Sequence, residues 1–472
     1  MTPPRSNENR PLAALLVPDL LELLEESPES VGPQTEEMHP ADLADLAEAL
    51  PEESVRAFLF ALPKERAAAV LEYLDEELRT QVLEELTAGE AASIVAEMTP
   101  DERADALDEL DDETADDILS ELGAEAQAET ERLLEYDPYT AGGLMTTEFV
   151  SVEEALTVEE ALRSVRSMAR AGRREAMYTI YTTDQNGRLR GVLSLRELLA
   201  APEGGRMSDL AWSDVVSVGP NMAQEEVSQV TSNYDLVALP VVDTDGRLLG
   251  VVTVDDVIDV IQEEQTEDVQ KMGGMEALEE PYMQIGLLQN VRKRAGWLSV
   301  LAVSEMLTAS AMAHYEGEIA KAALLAQFIP LVMSSGGNSG SQATSLIIRA
   351  MALGEVRVRD WYRVVMRELP AGFILGVILG ALAVTRILVW NALGLYDYGP
   401  HFGRIAATVG LTLIGIVTFG SLTGSMLPFI LKRLGFDPAS ASAPFVATLV
   451  DVTGISIYFS VAYLVLSGSL LK

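Results

Sequence analysis

Long apolar runs are confined to the C-terminal part of the chain. Five of them cover residues 295–313, 322–353, 369–395, 405–431 and 441–471. A helix needs about 20 mostly apolar residues to cross the hydrocarbon core of a bilayer, and four of the runs meet that length outright. Glycines and serines at 334–342 interrupt the second run, and a break in the helix is expected there. The pattern predicts a five-helix α transmembrane domain over residues 285–472.

A twelve-residue repeat organises the N-terminal part. An apolar residue recurs at positions 38, 50, 62, 74, 86, 98, 110 and 122, and most copies are followed by a polar cluster with Pro, Asp or Glu. A polar cap, an acid or Pro in the first turn and then helix formers describe a short helix that starts anew in each repeat. Such units stack into a solenoid. We predict an all-α helical solenoid over 38–136, typical of a protein-binding scaffold, after a flexible segment over 1–37.

A second repeat has an offset of 59 residues. Residues 186–197 recur as 245–256, and both copies continue an apolar strand through an Asx-Gly turn into another strand and a helix start. This β-α-β-β-α pattern resembles an α/β tandem CBS pair, with one domain over residues 137–203 and the other over 204–262.

The resemblance to CBS domains implies a binding site for an adenosine nucleotide such as ATP. Its ligands would be Ser194, Arg196 and Glu197, which follow the last strand of the first copy. The alternative is that these residues only cap the next helix.

An acidic connecting helix is predicted over residues 257–284, directly before the first apolar run. At helical spacing, residues 256, 259, 260, 263, 264 and 267 share one broad stripe, and most of them are acids. Neighbouring carboxylates repel, and a hard cation such as Mg²⁺ would remove that penalty because it takes oxygen ligands. A solvated acidic face is the alternative.

Charge is distributed as unevenly as hydrophobicity. The 472 residues contain 33 Lys and Arg against 73 Asp and Glu, a formal net charge of −40. Residues 281–472 hold 14 of these cations and 9 of the acids, so residues 1–280 hold 19 and 64. Such acidity argues against a nucleic-acid partner, because polyphosphate would be repelled. With no cysteine, three scattered histidines and no P-loop or nucleophile–base pair, the sequence does not indicate an enzyme.

Basic residues predict the orientation in the membrane. They flank the first span at 292–294, the second-to-third loop at 349–367 and the fourth-to-fifth loop at 432–433. Short basic loops mark the cytoplasmic side. We expect a multi-pass protein of the cell (inner or plasma) membrane, with its N-terminus cytoplasmic and its C-terminus outside.

Two carboxylates, Glu305 and Asp451, lie well inside the predicted spans. An acid within a membrane is costly and indicates a functional site. The interrupted second span adds carbonyl, hydroxyl and amide oxygens, and an all-oxygen lining suits a hydrated hard cation. A Gly/Ser-rich packing seam between helices is the alternative for the second span, but it leaves Asp451 unexplained.

Taken together, these features resemble the MgtE-type magnesium channels. The resemblance is carried by the solenoid, Ala141-Gly142-Gly143-Leu144-Met145-Thr146, the CBS pair, the acidic helix, Gly-Gly-Asn-x-Gly at 336–340 and Ala-Thr-Leu-x-Asp-Val-Thr-Gly at 447–454. It runs from about residue 38 to the C-terminus.

The resemblance implies a homodimer with a Mg²⁺ pore between the subunits, closed when intracellular Mg²⁺ binds the cytosolic acids. By motif, the pore would use Asp451, Gly337, Asn338 and Ala447, with Asp437 at the inner mouth. The implied sensor acids are Asp101, Asp105, Asp235, Asp256, Asp259, Glu264, Glu267 and Asp268.

This chain departs from the family pattern at Ser341 and Ala443, where Asn is usual, and at Glu305, where relatives tend to carry an uncharged residue. These departures leave strict Mg²⁺ selectivity open. Two alternatives therefore remain: a Co²⁺ or Mn²⁺ secondary transporter coupled to protons through Glu305, and a non-conducting, membrane-anchored CBS sensor.

Overall fold

The computed structural model describes residues 11–170, 176–202, 204–278, 282, 285–317 and 323–467. The chain forms two compact units, Met1–Glu263 and Glu264–Lys472. The first contains the helical repeat and all the strands of the described residues, and the second contains the long apolar helices.

The helical part of the first unit follows the twelve-residue repeat. Its helices are α1 (Pro11–Glu26), α2 (Val31–Gln34), α3 (Pro40–Ala49), α4 (Glu52–Phe60), α5 (Lys64–Tyr73), α6 (Glu76–Glu85), α7 (Ala88–Val95), α8 (Pro100–Asp108), α9 (Asp112–Glu121) and α10 (Ala124–Leu133). From α3 to α10, each helix begins twelve residues after the one before it. The predicted helical repeat is confirmed.

The apolar residue of each repeat stops one helix and fills the core. Leu74 and Leu122, directly after α5 and α9, have an extended backbone, and their side chains are buried in a common core. A side-chain cap starts four of the helices from α3 to α10, namely α3, α6, α7 and α9. In α6, for example, Asp75 Oδ1 accepts from the Leu78 N–H at 3.0 Å. Regular spacing of caps and apolar residues therefore produces the stacked helices.

Helices α1 and α2 show that the prediction of a flexible segment over 1–37 was wrong for residues 11–34. Leu20 and Val31 are buried in the same core as the repeat, and α1 packs on α3. These residues precede the twelve-residue repeat and lack its spacing, so the sequence pattern did not predict their helices. Residues 1–10 lie outside the described residues.

The strands form two small sheets. The elements are β1 (Phe149–Glu153), α11 (Val158–Arg170), β2 (Ala176–Thr183), β3 (Leu189–Ser194), α12 (Leu195–Ala200), α13 (Met207–Leu210), α14 (Gln224–Asn233), β4 (Ala238–Val242) and β5 (Leu248–Thr253). In the order β1-β2-β3, β1 pairs parallel with β2, and β2 pairs antiparallel with β3; β4 and β5 form an antiparallel pair.

Both hairpins turn at the predicted Asx-Gly steps. Gly187 and Gly246 have φ of +77° and +79°, a conformation that glycine adopts at little cost. Residues 215–218 precede the helix of the second copy as β1 precedes α11 in the first, but they form only a single parallel bridge, between Val218 and Val241. The repeat therefore holds for the hairpins but not for the first strand of the second copy.

The acidic helix is shorter than predicted. Helix α15 covers Val254–Met272 and ends at Gly273-Gly274, where Gly274 has φ of +76°. Residues 275–278 are not helical, and 279–281, 283 and 284 lie outside the described residues. The predicted helix over 257–284 was therefore wrong at its C-terminal end, because a glycine in the left-handed region ends the helix.

The second unit is built from helices. They are α16 (Leu287–His314), α17 (Ala323–Ala326), α18 (Ile329–Ala352), α19 (Trp361–Ala392), α20 (Phe402–Arg433) and α21 (Ala443–Leu466). Among the described residues, four helical segments are long and apolar enough to cross a membrane: Leu287–His314, Val358–Ala392, Phe402–Arg433 and Ala443–Leu466. Helix α18 has 24 residues, which is also long enough to span, but its glycines and serines lower its hydropathy.

Helix α18 is continuous through the glycine-rich stretch, so the expected break at 334–342 was wrong. A Cβ on Gly420 or Gly424 of α20 would collide with the carbonyl oxygens of Gly336 and Gly340 of α18. The Thr344 hydroxyl donates to the Gly424 carbonyl at 2.9 Å. The small residues therefore let two helix backbones touch, which is the packing-seam alternative.

Candidate ion path and acidic cluster

Two of the predicted pore residues meet where α18 packs on α21. A Cβ on Gly337 would lie 3.3 Å from the Ala447 Cβ. Asp451 follows Ala447 by one helical turn and therefore lies on the same side of α21, half-buried. Asn338 is exposed, and its amide donates to Ser334 Oγ at 3.4 Å. The structure thus brings Gly337 and Ala447 together, with Asp451 one turn away.

The two positions that depart from the family pattern also meet. Ser341 Oγ donates to the Ala443 carbonyl at 3.2 Å. The Ser341 hydroxyl is therefore bonded to a backbone carbonyl in the first turn of α21. Glu305 lies on α16, which packs on α21.

Asp437, predicted at the inner mouth, lies between α20 and α21. Its Oδ1 accepts from the Ala439 N–H at 2.8 Å, and its Oδ2 accepts from Lys271 Nζ at 2.7 Å. Lys271 also contacts the predicted sensor acid Glu267, with Nζ 2.5 Å from Oε1. Burial by itself would lower the pKa of Lys271, but these two hydrogen bonds raise it overall, so the lysine holds two predicted ligands together as an ammonium ion.

Several predicted sensor acids face one another in the first unit. We define the cytosolic acidic cluster as Glu72, Asp101, Glu102, Asp105 and Asp256. Burial raises the pKa of each of these carboxyls, and the charge of Asp101 adds to the rise for the other four. For Asp105 the pKa rises to about 7. The cluster therefore carries an electrostatic penalty when it is ionised.

The helix starts position these carboxylates. Asp101 and Asp105 lie one turn apart on α8. Asp256 lies in the first turn of α15, where the Thr253 hydroxyl donates to its Oδ2 at 2.6 Å. Arg79 approaches the cluster, with Nη1 3.8 Å from Glu102 Oε2, but its guanidinium donates hydrogen bonds to Glu109, with 2.9 Å between Nε and Oε2. Asp101 is 5% exposed, and its Oδ1 has no hydrogen-bond partner among the described residues.

The other predicted sensor acids are arranged differently. Asp259 is half-buried on α15, and burial, with the nearby charge of Asp255, raises its pKa. Asp235 is exposed and has a φ of +51° in the turn before β4. Glu264, Glu267 and Asp268 lie on the C-terminal half of α15. In the part of the chain that the structure describes, no three His, Asp or Glu side chains converge closely enough to hold a metal ion.

The predicted nucleotide ligands form a helix cap. The Glu197 N–H donates to Ser194 Oγ at 3.2 Å, and the Ser194 N–H donates to Glu197 Oε2 at 2.8 Å. The Ser194 hydroxyl also donates to Glu197 Oε2 at 2.8 Å. The bonds that the Glu197 carboxylate accepts from the Ser194 N–H, from this hydroxyl and from Trp212 Nε1, at 3.3 Å, lower the pKa of Glu197. Arg196 is exposed. The local geometry is that of the capping alternative.

Comparison with known proteins gives one family for most of the chain. The model of the MgtE intracellular N domain matches residues 38–139, that of the CBS domain matches 141–204 and 207–263, and the MgtE model, described as a divalent cation transporter, matches 329–461. The magnesium transporter MgtE of Thermus thermophilus is 42% identical over 342 residues, which cover 72% of this chain and 73% of that protein. The chain belongs to the MgtE family.

Solved structures cover the cytosolic part of MgtE proteins. The soluble part of a magnesium transporter is 33% identical, with a TM-score of 0.50, and covers 53% of this chain and 99% of that one. The cytosolic domain of the Mg²⁺ channel MgtE in complex with ATP is 39% identical, with a TM-score of 0.49, and covers 52% and 99%. The predicted family and fold class are confirmed, and a member of this family is a transporter rather than an enzyme.

Three residues that contact or neighbour the predicted site residues were not predicted from the sequence. Glu72 and Glu102 belong to the cytosolic acidic cluster, and Lys271 bridges Glu267 and Asp437. Glu102 follows Asp101 directly, and Lys271 is the one basic residue of α15, so both carried a local signal. Glu72 lies on α5 and Asp101 on α8, so only the fold brings these two residues near each other.

Proposed function

We propose that this multi-pass membrane protein transports Mg²⁺ along a path formed by α18 and α21, as a channel that imports the ion. The observation that carries the proposal is the position of Asp451, one turn from the contact between Gly337 and Ala447. Oxygen donors of a carboxylate and of helix backbone suit Mg²⁺, which dehydrates reluctantly and keeps most of its water. Asn338 lies on α18 next to Gly337 and adds an amide oxygen.

The regulatory half of the proposal concerns the cytosolic acidic cluster. Burial is the main cause of its raised pKa values, and repulsion from Asp101 adds to it; a bound divalent cation would offset that repulsion. The buried Asp101 Oδ1, which has no hydrogen-bond partner among the described residues, fits such a ligand. Intracellular Mg²⁺ that binds the closed state more tightly would shift the population towards closure. Asp235, Asp259, Glu264, Glu267 and Asp268 join the sensor, and Asp437 the inner mouth, on the family resemblance.

We also propose a homodimer with the N-terminus in the cytoplasm and the C-terminus outside. Large apolar side chains are exposed along α16 and α19, for example Leu298 and Phe373. Such surfaces need lipid or a second subunit. The basic loops place the first unit on the cytoplasmic side.

The test is Mg²⁺ flux into proteoliposomes that hold the full-length protein. Asp451→Asn should lower the flux by about tenfold or more, because it removes the charge that attracts the ion. Asp397→Asn, the same change at an exposed position after α19, is the matched control and should leave the flux unchanged. Normal flux through Asp451→Asn would refute the proposed path.

The same recordings distinguish the alternatives. A Co²⁺ or Mn²⁺ flux that depends on a pH gradient would indicate the secondary transporter. No flux of any divalent cation through the folded wild type would indicate the non-conducting sensor.

A further inference from the structure

Two contacts define how α16 packs on α21. Near the start of α16, Trp297 Nε1 donates to Ser442 Oγ at 3.0 Å. Just after its end, the Tyr315 ring stacks on Phe459 with 4.8 Å between centroids and 14° between planes. The residue numbers of the partners differ by 145 in the first contact (442 less 297) and by 144 in the second (459 less 315). The helices therefore run parallel with a constant register.

This register places Glu305 beside Asp451. Adding the offset of 144 or 145 to 305 gives positions 449 and 450 of α21, one or two residues from Asp451. Two acids from different helices therefore approach each other inside the second unit.

The two carboxylates also lie at a similar depth. Glu305 is ten residues beyond Ala295, where the basic stretch before the first span ends, and Asp451 is eight residues beyond Ala443, the start of α21. At a rise of 1.5 Å per residue these separations are about 15 and 12 Å, near the middle of a hydrocarbon core about 30 Å thick.

Thr308 provides an independent observation at the same place. It lies one turn beyond Glu305 on α16 and is buried on the side that packs on α21, being 8% exposed. Its hydroxyl has no hydrogen-bond partner among the described residues. A buried hydroxyl without a partner is costly, and it stands one turn from a pair of carboxylates on the same helix face.

The Glu305 side chain is exposed on the chain taken alone. A charge at this depth is disfavoured against lipid and is found where it faces a bundle interior or a water-filled cavity. The surface that carries Glu305 must therefore face water or another protein surface in the membrane.

We propose that Glu305 is a second carboxylate of the ion path, which with Asp451 and Thr308 forms an all-oxygen subsite for hydrated Mg²⁺. The inference rests on the proposed function and adds a specificity-determining residue to it. Two acids at one depth double the negative charge that a passing ion meets in each subunit. That charge favours divalent over monovalent cations, because the attraction scales with the charge of the ion.

The experiment uses the full-length protein in proteoliposomes and measures two quantities. They are the Mg²⁺ concentration at half-maximal flux and the ratio of Mg²⁺ flux to Na⁺ flux. Glu305→Gln should raise the Mg²⁺ concentration at half-maximal flux by about tenfold and lower the ratio of Mg²⁺ flux to Na⁺ flux. The reason is that losing the attraction of one charge at this range weakens ion binding by about tenfold or more. Glu305→Asp should restore much of both, and Thr308→Val should raise the half-maximal concentration by a smaller factor.

Glu316→Gln is the matched control, because Glu316 follows the end of α16 and is exposed outside the span. Size-exclusion profiles show whether each variant is folded. If Glu305→Gln is not folded, the half-maximal concentrations and flux ratios of Glu305→Asp and Thr308→Val, compared with wild type, test the inference instead. If the half-maximal Mg²⁺ concentration and the Mg²⁺/Na⁺ flux ratio are unchanged in the folded variants, the inference is overturned. The proposed path would still be upheld in that case if Asp451→Asn loses flux. A Mg²⁺ flux that requires a pH gradient, and loses that requirement in Glu305→Gln, would also overturn it in favour of proton coupling.

Discussion

Lys271 Nζ lies 2.7 Å from Asp437 Oδ2 and joins the end of α15 to the segment between α20 and α21. The same ammonium lies 2.5 Å from Glu267. One lysine thus links two acids that the family resemblance assigns to Mg²⁺ binding, and it holds the end of the acidic helix against the segment between α20 and α21.

Replacing Lys271 by Met should expose the repulsion between Glu267 and Asp437. We expect a loss of about 1–2 kcal/mol in the free energy of unfolding without Mg²⁺, because a hydrogen-bonded, half-buried charge pair loses its cation. Added Mg²⁺ should stabilise the variant more than the wild type, since a divalent cation can take the place of the ammonium. Thermal unfolding in detergent measures both effects. Lys432→Met, at an exposed position of α20, is the control, and equal Mg²⁺ stabilisation of variant and wild type would contradict the interpretation.

The cytosolic acidic cluster should make stability fall as pH rises. Burial raises the pKa of Asp105 from 3.8 to about 7, so the folded protein holds a proton that the unfolded chain has already lost between these values. The unfolding free energy therefore decreases from about pH 4 to pH 7 by an amount on the order of a few kcal/mol. Melting curves at pH 5.5 and 8 in EDTA should show the higher melting temperature at pH 5.5.

Asp105→Asn should flatten this pH dependence and reduce the stabilisation by Mg²⁺ at pH 8. Asp108→Asn, at an exposed position of the same helix, should do neither. A melting temperature of the wild type that increases with pH would show that the cluster is not strained when ionised.

The contact between α18 and α20 predicts opposite outcomes for two Gly→Ala changes in one helix. Gly424→Ala should strongly destabilise the membrane unit, because the new methyl group meets the Gly340 backbone, which cannot move aside. Gly403→Ala, with nothing within 4 Å of the added Cβ, should leave stability unchanged or raise it by up to about 1 kcal/mol. Melting temperatures and the folded yield in detergent compare them. Equal tolerance of both changes would contradict the close backbone contact.

Nucleotide binding by the first CBS domain separates the two interpretations of Ser194, Arg196 and Glu197. If the residues bind ATP, Arg196→Ala should weaken ATP binding to the full-length protein by about tenfold, as expected for a lost charge-assisted contact to phosphate. If they only cap α12, calorimetric titration should detect no ATP-dependent heat in either protein. Glu197→Gln preserves most of the cap and serves as the second variant.

Local signals predicted much of the architecture. The twelve-residue spacing of caps and apolar residues predicted the helix starts of α3 to α10, and the Asx-Gly steps predicted both hairpins. The helix over residues 11–26 was missed because its apolar residues precede the repeat. The length of α15 was overestimated, since a glycine with positive φ ends it before the acidic segment is over.

The sequence by itself determined where helices start, which segments are apolar enough for a membrane and which acids lie inside them. These properties depend on neighbouring residues and on composition, which are local. Tertiary structure alone decided that the glycines of α18 form a continuous packed helix rather than a break, because the surfaces that require them belong to α20 and α21. It also decided that Glu305 lies opposite the turn of α21 that holds Asp451, and that Lys271 meets Asp437. Electrostatic contacts between residues more than a hundred positions apart arise only when helix packing sets the register, and no local pattern encodes that distance.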